Sequence, residues 1–579
     1  MDEQQKQMLE ELLFSGEKKL SFAKMLYFGA FHESSAFPFP SMTQEEKADS
    51  DAFIQKFNTF ADEHIDGDAI DRDANIPDHV ISGLGELGLL GYNIPTEFGG
   101  LGKTQHSYCR VMELLAQRCA STALFVNAHQ SIGVRALVLF GTHEQQKTWL
   151  KPLAKGEKVA AFSLTEPNAG SDASGVETIA VYKPEKDCYV LNGEKQWTTN
   201  GSIADVLTVM AQTEMDTPRG KENKITAFLV TPDMKGFSVT EQALEKVGMR
   251  GTRTANLCFE NMEVPTKNIL GPKGGGLRVC LTVLDFGRVT FGATCTGIAK
   301  YLVKRALEHA HGRHQFKRTL STFPLVKRKL AMMSALTYAM DATTYLTAGL
   351  VDEGVEEFML EAAILKVFNS DSMWTILYDT MQIYGGRSFF TSEPFERMMR
   401  DARLNMIGEG SNEVLQAFIA LVGIRDVGMQ FKNVSEAFTS PISQFSTLKM
   451  FGKQCCSYLF APKIPIRSSE ITKEGKELAK RVRLFAKNIA KLLSIHREDI
   501  IEMQLILDRV ANIATALYTT TAVLSKLDSE IQAGDKRSIP SGRLYCRHAF
   551  DTIDHNLHTL YHNHDNCIEK VSDLLTGSL

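Results

Sequence analysis

The stretch AFSLTEPNAGSDASG (residues 161–175) lies where the periodicity of this 579-residue chain changes. Upstream, from about residue 43 to residue 153, apolar side chains recur at three- and four-residue spacing, which is typical of helices. From about residue 159 onward, short β-branched or aromatic runs such as CYVLNGEKQWTTN (residues 188–200) are separated by Gly, Asn, Asp and Pro. This pattern predicts an antiparallel all-β domain over residues 158–266.

Helical periodicity returns after the β domain. It resumes beyond GPKGGG (residues 271–276), holds to about residue 430, and reappears in KRVRLFAKNIAKLLSI (residues 480–495). In that last stretch the residues sharing one helical face are Val482, Phe485, Ile489, Leu492 and Leu493. The predicted fold class is α+β and mostly α. The predicted domains are an N-terminal extension (1–42), a helical domain (43–157), a barrel-like or sandwich β domain (158–266), a helical bundle (267–430), a linker (431–473) and a C-terminal helical domain (474–579).

The composition is that of an ordinary globular protein, with 44% hydrophobic and 23% charged residues. A net charge of −5 argues against nucleic acid as a partner, because nucleic-acid-binding proteins are strongly basic. The ten cysteines are scattered, without metal-type spacing, and suggest no disulfide framework; the missing framework favours a reducing compartment. We expect a soluble protein, or one peripheral to a membrane, because no apolar run reaches the ~18 residues that a spanning helix needs.

The amino terminus, MDEQQKQMLEELL (residues 1–13), is acidic and amphipathic, unlike a transit peptide or a secretory signal. The expected location is therefore the cytoplasm of a bacterium, or the mitochondrial matrix if a presequence was removed. Near the other end, residues 448–467 (LKMFGKQCCSYLFAPKIPIR) combine apolar and aromatic side chains with four cations. An amphipathic helix there would lie on an anionic membrane surface. The alternative is a linker that packs on a partner subunit.

The loop MIGEGSNEVLQAF (residues 406–418) carries one carboxylate, Glu409, between Gly408 and Gly410. Glycine lets the backbone turn sharply and lets a ligand approach closely. The loop follows the charged patch RMMRDAR (residues 397–403) and precedes an apolar helix, so it can present Glu409 to a cleft. The alternative is an ordinary solvated glutamate, which the loop alone does not exclude.

Two further motifs end β runs. The Gly-, Ser- and Asp-rich turn at residues 166–175 is either an ordinary loop or a nest of N–H groups and hydroxyls for anionic or carbonyl oxygens. KQWTTNG (residues 195–201) places a tryptophan and two threonines at the end of another strand. Trp197 is either a core residue or a cofactor contact.

Together these motifs resemble the acyl-CoA dehydrogenase family, whose signatures are close to TEPxAGSD and WxTNG. The resemblance covers nearly all of residues 44–425. It includes PTEFGGLG (95–102), AHQSIG (128–133), GRHQF (312–316), QIYGG (382–386) and IGEGSNE (407–413). The FPFP lead-in (residues 37–40) and the chain beyond residue 430 resemble the very-long-chain branch, whose members are dimers with an added helical domain.

The resemblance implies an FAD-dependent enzyme of fatty-acid β-oxidation that converts long-chain acyl-CoA to trans-2-enoyl-CoA. Glu409 would remove the α-proton as general base, a hydride would pass to flavin N5, and electrons would leave to an electron-transfer flavoprotein. Some relatives carry the base just before the arginine of an LDxxR segment. Here that position is Gly287, so the assignment falls to Glu409. The alternatives are an acyl-CoA oxidase and a flavoprotein that assists the assembly of a respiratory complex.

The resemblance also implies binding residues, position by position. Those expected to contact FAD are Phe162, Leu164, Thr165, Gly170, Ser171, Trp197, Thr198, Thr199, Arg313, Phe316, Gln382, Gly385, Gly386, Ser411 and Glu413. Trp197 would lie over the isoalloxazine ring and Thr199 would bond to flavin N5. The residues of the 312–316 and 382–386 motifs would hold the adenosine and diphosphate across the interface of a homodimer, where an arginine suits a diphosphate. Those expected to contact the CoA ester are Ser171, Asp285, Arg288 and Gly410.

The segment CASTALFVNAHQ (residues 119–130) offers Ala120, Ser121 and Ala123 where a deep, narrow acyl cavity needs small side chains. Phe125 and Asn127 would close part of that cavity. Together with the branch resemblance, these residues favour a long acyl chain.

Histidines recur at helical spacing near the C-terminus, at His555, His558 and His562, with His564 and Cys567 beyond. No HExxH motif is present, so we interpret them as ordinary polar helix positions and expect no metal.

Overall fold

In the computed structural model of the chain, residues 21–31, 36–218, 220–437 and 458–577 are described, residues 432–437 by their backbone alone. Helices dominate, and the strands of one large sheet fall between two groups of helices in the sequence. The predicted α+β, mostly helical class is confirmed. Parts of the predicted N-terminal extension, linker and membrane-contact segment, at residues 1–20, 32–35 and 438–457, lie outside the described residues.

The first part of the fold is helical up to residue 154. Helix α2 begins at a capping box, in which the Thr43 hydroxyl accepts from the Glu46 N–H and the Glu46 carboxylate accepts from the Thr43 N–H. After α6 the chain widens into a π-helical segment, Asn127–Val134, a rare geometry that is frequent at functional sites. The helices are α1 (Phe22–Tyr27), α2 (Gln44–His64), α3 (Gly67–Arg72), α4 (Asp78–Glu86), α5 (Gln105–Arg118), α6 (Ala120–Val126), α7 (Arg135–Phe140) and α8 (His143–Ala154).

The chain then forms an eight-stranded sheet. Its strands are β1 (Ala160–Ser163), β2 (Ile179–Lys183), β3 (Cys188–Thr199), β4 (Val206–Thr217), β5 (Gly220–Val230), β6 (Phe237–Glu241), β7 (Thr254–Pro265) and β8 (Ile269–Leu270). They lie in the order β6-β7-β3-β2-β4-β5-β8, with β1 also beside β4. Most neighbours are antiparallel as predicted, but β1 and β2 run parallel to β4. A parallel pair needs a long connection, which residues 164–205 supply between β1 and β4.

Helix α9 (Gly276–Gly312) is the central helix of the bundle that follows, and it packs against α5 and α11. A Cβ atom at Gly297 would lie 2.2 Å from the carbonyl oxygen of Glu113 in α5. Only glycine therefore lets these two backbones come so close. A short hairpin, β9 (His314–Gln315) and β10 (Arg318–Thr319), leads to α10 (Pro324–Asp352), α11 (Met359–Tyr384), α12 (Phe395–Leu404) and α13 (Asn412–Ala437).

The C-terminal domain contains α14 (Thr472–His496), α15 (Gln504–Gln532), α16 (Ile539–Thr559) and α17 (Asp565–Thr576). The apolar face predicted for α14 is confirmed, since Val482, Phe485, Ile489 and Leu492 are buried in the core and Leu493 packs against it. Residues 22–27 of the N-terminal extension pack against this domain and the bundle. In α1, the Tyr27 hydroxyl donates to a carbonyl oxygen of α13 at 2.8 Å, and the ring contacts α14.

Two helical stretches, Ala120–Phe140 and Asn412–Phe431, are long and apolar enough to cross a membrane by length and composition. The sequence analysis expected none, because scattered polar residues interrupt both runs without making them polar on average. In the first stretch 72% of the apolar window is buried inside the protein, and in the second 39%. Core helices of globular proteins have the same composition.

The histidines near the C-terminus lie on α16 and beyond it, and the rings of His558 and His562 stack with centroids 4.7 Å apart. Within the described ranges, no group of three or more His, Cys, Asp or Glu side chains is arranged to hold a metal ion.

Candidate active site

The loop between α12 and α13 carries Glu409 in a sharp turn. Glu409 and Gly410 both have left-handed backbone conformations, with φ of 56° and 98°. Glycine adopts this region freely, whereas a glutamate there is uncommon. Two cations hold the turn: Arg288 Nε donates to the Glu409 carbonyl oxygen (3.3 Å) and Lys366 Nζ donates to the Gly410 carbonyl oxygen (2.6 Å). The backbone is thereby fixed from both α9 and α11.

The Glu409 carboxylate lies between the π-helical segment and α9. Its Oε1 accepts a hydrogen bond from Asn127 Nδ2 at 2.7 Å. Its Oε2 is buried and has no hydrogen-bond partner in the described part of the chain. A Cβ atom at Gly287 would lie 2.8 Å from Oε2. The carboxylate therefore uses space that exists because residue 287 has no side chain.

The surroundings of Glu409 shift its pKa toward neutral pH. Burial raises the pKa of Glu409 to about 7, while the charges of Arg288 and Lys366 and the hydrogen bond from Asn127 act in the opposite direction. Asp285 accepts from Arg288 at 3.0 Å, and burial raises the pKa of Asp285 to about 7. A carboxyl group with a pKa near 7 is suited to taking up and releasing a proton under physiological conditions.

On the sheet, the end of β3 presents Trp197 to solvent. The pairing of β3 with β7 is irregular between Lys195 and Thr198, and Trp197 has a φ of 58°. Such bulges redirect side chains, and here 61% of the tryptophan is exposed. Trp197 is therefore not a core residue. It offers a large flat surface to a ligand.

A buried ion pair fixes the loop beside the end of β3. Lys195 Nζ donates to Glu166 Oε1 at 2.6 Å and to the Leu164 carbonyl oxygen at 3.0 Å. The Glu166 carboxylate also accepts from the backbone N–H groups of Glu177 and Thr178. These bonds tie both ends of the loop at residues 164–178 to β3.

The π-helical segment connects the sheet to the Glu409 loop. Asn200, just after β3, donates from Nδ2 to the Phe125 carbonyl oxygen at 3.2 Å. His129 Nδ1 accepts from the Ala160 N–H of β1 at 3.1 Å. Between these two anchors lies Asn127, which holds the loop carboxylate. The sheet and the carboxylate are therefore fixed relative to each other by short, buried contacts.

A narrow, mainly apolar crevice of about 10 Å³ lies between α5, α6 and α9. Its lining residues are Ala116, Ala120, Ala123, Leu124, Asn127, Met249, Phe291, Thr294, Ile298 and Asn405. Ala120 and Ala123 are in its wall as predicted, whereas Ser121 is not, and its hydroxyl bonds to a backbone N–H of the loop before β7. Phe125 lines a separate hollow beside α4, so the expectation that it narrows this crevice is wrong. Asn127 belongs both to the crevice and to the Glu409 site.

Profiles of acyl-CoA dehydrogenase domains match three successive parts of the chain: the N-terminal domain at residues 47–157, the middle domain at 161–262 and the C-terminal domain at 274–423. The chain belongs to the acyl-CoA dehydrogenase family. A fourth profile, the ACAD9/ACADV C-terminal domain, matches residues 469–575.

Relatives align over most of this acyl-CoA dehydrogenase. The mitochondrial very long-chain specific acyl-CoA dehydrogenase of Bos taurus is 34% identical over 523 residues, which cover 89% of this chain and 80% of the relative. The probable acyl-CoA dehydrogenase FadE10 of Mycobacterium tuberculosis is 37% identical over 430 residues, covering 72% and 65%. A solved acyl-CoA dehydrogenase from Bacillus anthracis, complexed with FAD, has a TM-score of 0.76 at 27% identity and covers 95% of this chain and 94% of that chain. The predicted family, the FAD cofactor and the oxidoreductase class are confirmed.

The residues predicted to contact the flavin are mostly accessible. Phe162, Leu164, Thr165 and Thr199 are half-buried, and Gly170 and Ser171 are exposed. Thr198 differs, because it is buried and its hydroxyl shares a 2.8 Å hydrogen bond with Ser163 inside the sheet. In this acyl-CoA dehydrogenase, Thr198 therefore supports the strand and leaves Thr199 at the surface.

The residues predicted to hold the adenosine end of FAD lie elsewhere. Arg313, Phe316, Gln382, Gly385 and Gly386 are all exposed. Helix α9 separates the two places: residue 287 lies beside the Glu409 carboxylate and residue 312 ends the helix. These positions are 25 residues apart, or roughly 38 Å at the helical rise. One chain does not bring these residues to its own Glu409.

The remaining predicted contacts are in or beside the Glu409 loop. Asp285 and Arg288 are buried and paired with each other. Gly410 and Ser411 are half-buried in the turn, and Glu413 is exposed in the first turn of α13.

Sequence reasoning missed two contacts of the site. Asn127 was predicted to narrow a cavity, and its bond to Glu409 was not foreseen. Lys366 was not assigned any role, although a single lysine inside the apolar run EAAILKVF (residues 361–368) is a recognisable signal. A buried lysine needs partners, so such a residue points to a polar site nearby.

Proposed function

We propose that this acyl-CoA dehydrogenase acts on long-chain acyl-CoA with Glu409 as the general base. The observation that carries the proposal is the buried, unpartnered Oε2 of Glu409, whose Oε1 is held by a residue of the apolar crevice. An acyl chain that widened this narrow crevice and lay in it would have its thioester end at Asn127. Its α-carbon would then be next to an oxygen that is free to accept a proton.

The protein prepares Glu409 for that step in two ways. Asn127 fixes one carboxylate oxygen, so the other is left for the α-proton. Burial raises the pKa of Glu409 to about 7, which makes it a stronger base than a free glutamate. Arg288 and Lys366 still favour its ionised form. FAD, when bound, supplies the acceptor for the hydride that leaves the β-carbon.

The residues present fit FAD. The exposed Trp197 suits a planar ring, and the half-buried Thr165 and Thr199 lie near it, since the Gln196 N–H donates to the Thr165 carbonyl oxygen and Thr199 ends the same strand. The loop at residues 164–178 offers backbone N–H groups and is fixed by the buried Lys195–Glu166 pair.

We propose a homodimer in which each FAD contacts both subunits. The residues expected to contact the adenosine lie at the far end of α9 from Glu409 in the same chain. Around them, large apolar side chains are unusually exposed: Phe316 by 87%, Phe389 by 83% and Phe390 by 65%. Such a patch marks an interaction surface. A partner subunit placed there would bury it and bring Arg313 to the second half of the cofactor.

The proposed electron acceptor is an electron-transfer flavoprotein, as the family resemblance implies. The proposed location is a mitochondrial matrix or a bacterial cytoplasm; of the named relatives, one is called mitochondrial and another is from a bacterium. Peripheral membrane contact is also a proposal, supported in the described residues by the exposed side chains of Leu459 and Phe460. Reduction of the flavoprotein under anaerobic conditions, compared with peroxide formation in air, distinguishes a dehydrogenase from an oxidase.

The pH profile tests the state of Glu409. We expect kcat/KM to rise through pH values near the Glu409 pKa of about 7 and then to level off, because only the ionised carboxylate accepts the α-proton. Below that point the rate should fall about tenfold per pH unit. Stopped-flow reduction of the flavin by acyl-CoA measures the profile directly. A rate that is unchanged between pH 5 and pH 8 would contradict the assignment.

The crevice predicts the response to acyl length. Ala123→Phe fills the crevice, so we expect long-chain acyl-CoA to reduce the flavin about 10- to 100-fold more slowly, with a smaller effect on short-chain esters. Anaerobic bleaching of the flavin with acyl-CoA esters of graded length measures both, and also tests the proposed long-chain preference. Ser121→Ala, on the same helix but outside the crevice wall, is the control. An equal loss with all esters would show that the variant disturbs folding and not the acyl site.

A further inference from the structure

Lys366 is a completely buried lysine in the first half of α11. Taking an ammonium group out of water is costly unless partners replace its hydration, and buried lysines usually pair with a carboxylate. Lys366 makes no such ion pair with the described residues. Its Nζ donates instead to two neutral oxygens of the base loop, the Gly410 carbonyl (2.6 Å) and Asn412 Oδ1 (2.8 Å).

The second of these acceptors is itself held in place. Asn412 Nδ2 donates to Ser370 Oγ at 3.0 Å and to Asp371 Oδ1 at 2.8 Å, and these two residues follow Lys366 by four and five positions on α11. This fixes the amide with its oxygen toward Lys366. The lysine and the asparagine together attach the end of the Glu409 turn to α11.

Lys366 attaches the turn to α11 next to the residues whose backbone conformation is least favourable. Glu409 and Gly410 are consecutive left-handed residues, and a glutamate does not adopt that conformation without support. Arg288 donates to the carbonyl oxygen of the peptide bond that joins these two residues, and Lys366 donates to the next carbonyl oxygen, that of Gly410. Losing either donor would let the turn relax and move the Glu409 carboxylate.

The titratable groups that face Glu409 differ in whether they are charged and in whether they already have an ion-pair partner. From α9, Arg288 faces it but is ion-paired with Asp285. From α5, Tyr108 faces it, and its pKa is raised by burial, so it is neutral. From α11, Lys366 faces it, with the thiol of Cys295 and the carboxyl of Asp371 as its other titratable neighbours.

Of the two cations near the base, Lys366 is thus the one without its own ion-paired carboxylate. Burial lowers the pKa of Lys366 to about 8, opposed chiefly by Glu409, so the ammonium form persists at neutral pH.

We propose that Lys366 is a positioning residue for the reaction, which holds the Glu409–Gly410 turn and supplies the charge that keeps Glu409 ionised before substrate is oxidised. The proposal rests on the proposed role of Glu409 as base. It adds a function for α11 besides its packing in the bundle and the expected FAD contact of Gln382.

The test is Lys366→Met, with Lys366→Gln as a second variant that keeps an N–H donor but removes the charge. We expect both to move the acid limb of kcat/KM upward by about one pH unit, so that the rate at pH 6 falls about tenfold and recovers at higher pH. A second readout needs neither turnover nor cofactor. The infrared carboxylic acid band that disappears in Glu409→Gln should titrate at correspondingly higher pH in both variants.

Lys300→Met is the matched control, because Lys300 is also a bundle lysine but pairs with Glu113 (2.6 Å) and with Asp341. It is expected to lower thermal stability and leave the pH profile in place. If the Lys366 variants fold but neither the acid limb nor the infrared titration moves, the Lys366 proposal is wrong. The assignment of Glu409 as base would be unaffected. Full activity in Glu409→Gln would remove the base assignment, and this proposal with it.

Discussion

Glu409→Gln is expected to bind FAD normally and to lose about 10³-fold or more in the rate of flavin reduction by acyl-CoA. The amide has nearly the same shape as the carboxylate, so the turn and the contacts with Arg288 and Lys366 can persist. It cannot accept the α-proton, however. Because Oε2 has no other partner in the described residues, no neighbouring group replaces it there. Anaerobic stopped-flow at the flavin absorbance, with FAD content measured separately, gives the result.

The appropriate control is Glu353→Gln, which changes an exposed glutamate just after α10 and should leave the rate within a factor of about two. Retention of most of the wild-type rate by Glu409→Gln would show that another group takes the proton. Loss of FAD from the variant would show instead that the loop supports the cofactor, and the rate alone would then not identify the base.

The general plan of this enzyme was accessible from its sequence because it depends on local periodicity and on glycine. The change from helical to strand-like spacing near residue 159 predicted the sheet correctly. The parallel pairing of β1 and β2 with β4 was not predicted, since pairing between distant strands leaves no local signal. The flanking glycines likewise predicted a sharp turn at Glu409, and the structure has left-handed residues there.

The surroundings of Glu409 were less predictable, because they come from residues that are distant in sequence. Asn127 and Glu409 are 282 positions apart, and only the packing of the π-helical segment against the base loop makes them partners. Gly287 was recognised as unable to act as a base. Its second role, leaving space for the carboxylate of another loop, is visible only in three dimensions.

The buried pair of Lys195 and Glu166 gives the other large expected effect. Their side chains are 0% and 2% exposed, and the nitrogen and oxygen are 2.6 Å apart. Burial lowers the pKa of Lys195 to about 8, opposed by Glu166. Burial works against ionisation of Glu166 too, yet Lys195 and the hydroxyl of Thr178 keep the pKa of Glu166 below its usual value. Each charge is therefore tolerated in the sheet because the other is present.

Lys195→Met should destabilise the middle domain by about 3–5 kcal/mol, because it leaves the Glu166 carboxylate buried without its cation. The loop at residues 164–178 would lose its main anchor, so FAD should also dissociate more readily. Thermal unfolding followed by flavin fluorescence measures both effects.

Adding Glu166→Gln to Lys195→Met should recover part of the stability, since the unpaired charge is then removed. Lys186→Met breaks an exposed pair between the turn before β3 and Glu263 of β7, and should leave the unfolding temperature nearly unchanged, because exposed ion pairs contribute little. If the single variant Lys195→Met unfolds and releases FAD like the wild type, the pair does not anchor the flavin loop. If the double variant is no more stable than Lys195→Met, the loss arises from the missing hydrogen bond to the Leu164 carbonyl and not from the uncompensated charge.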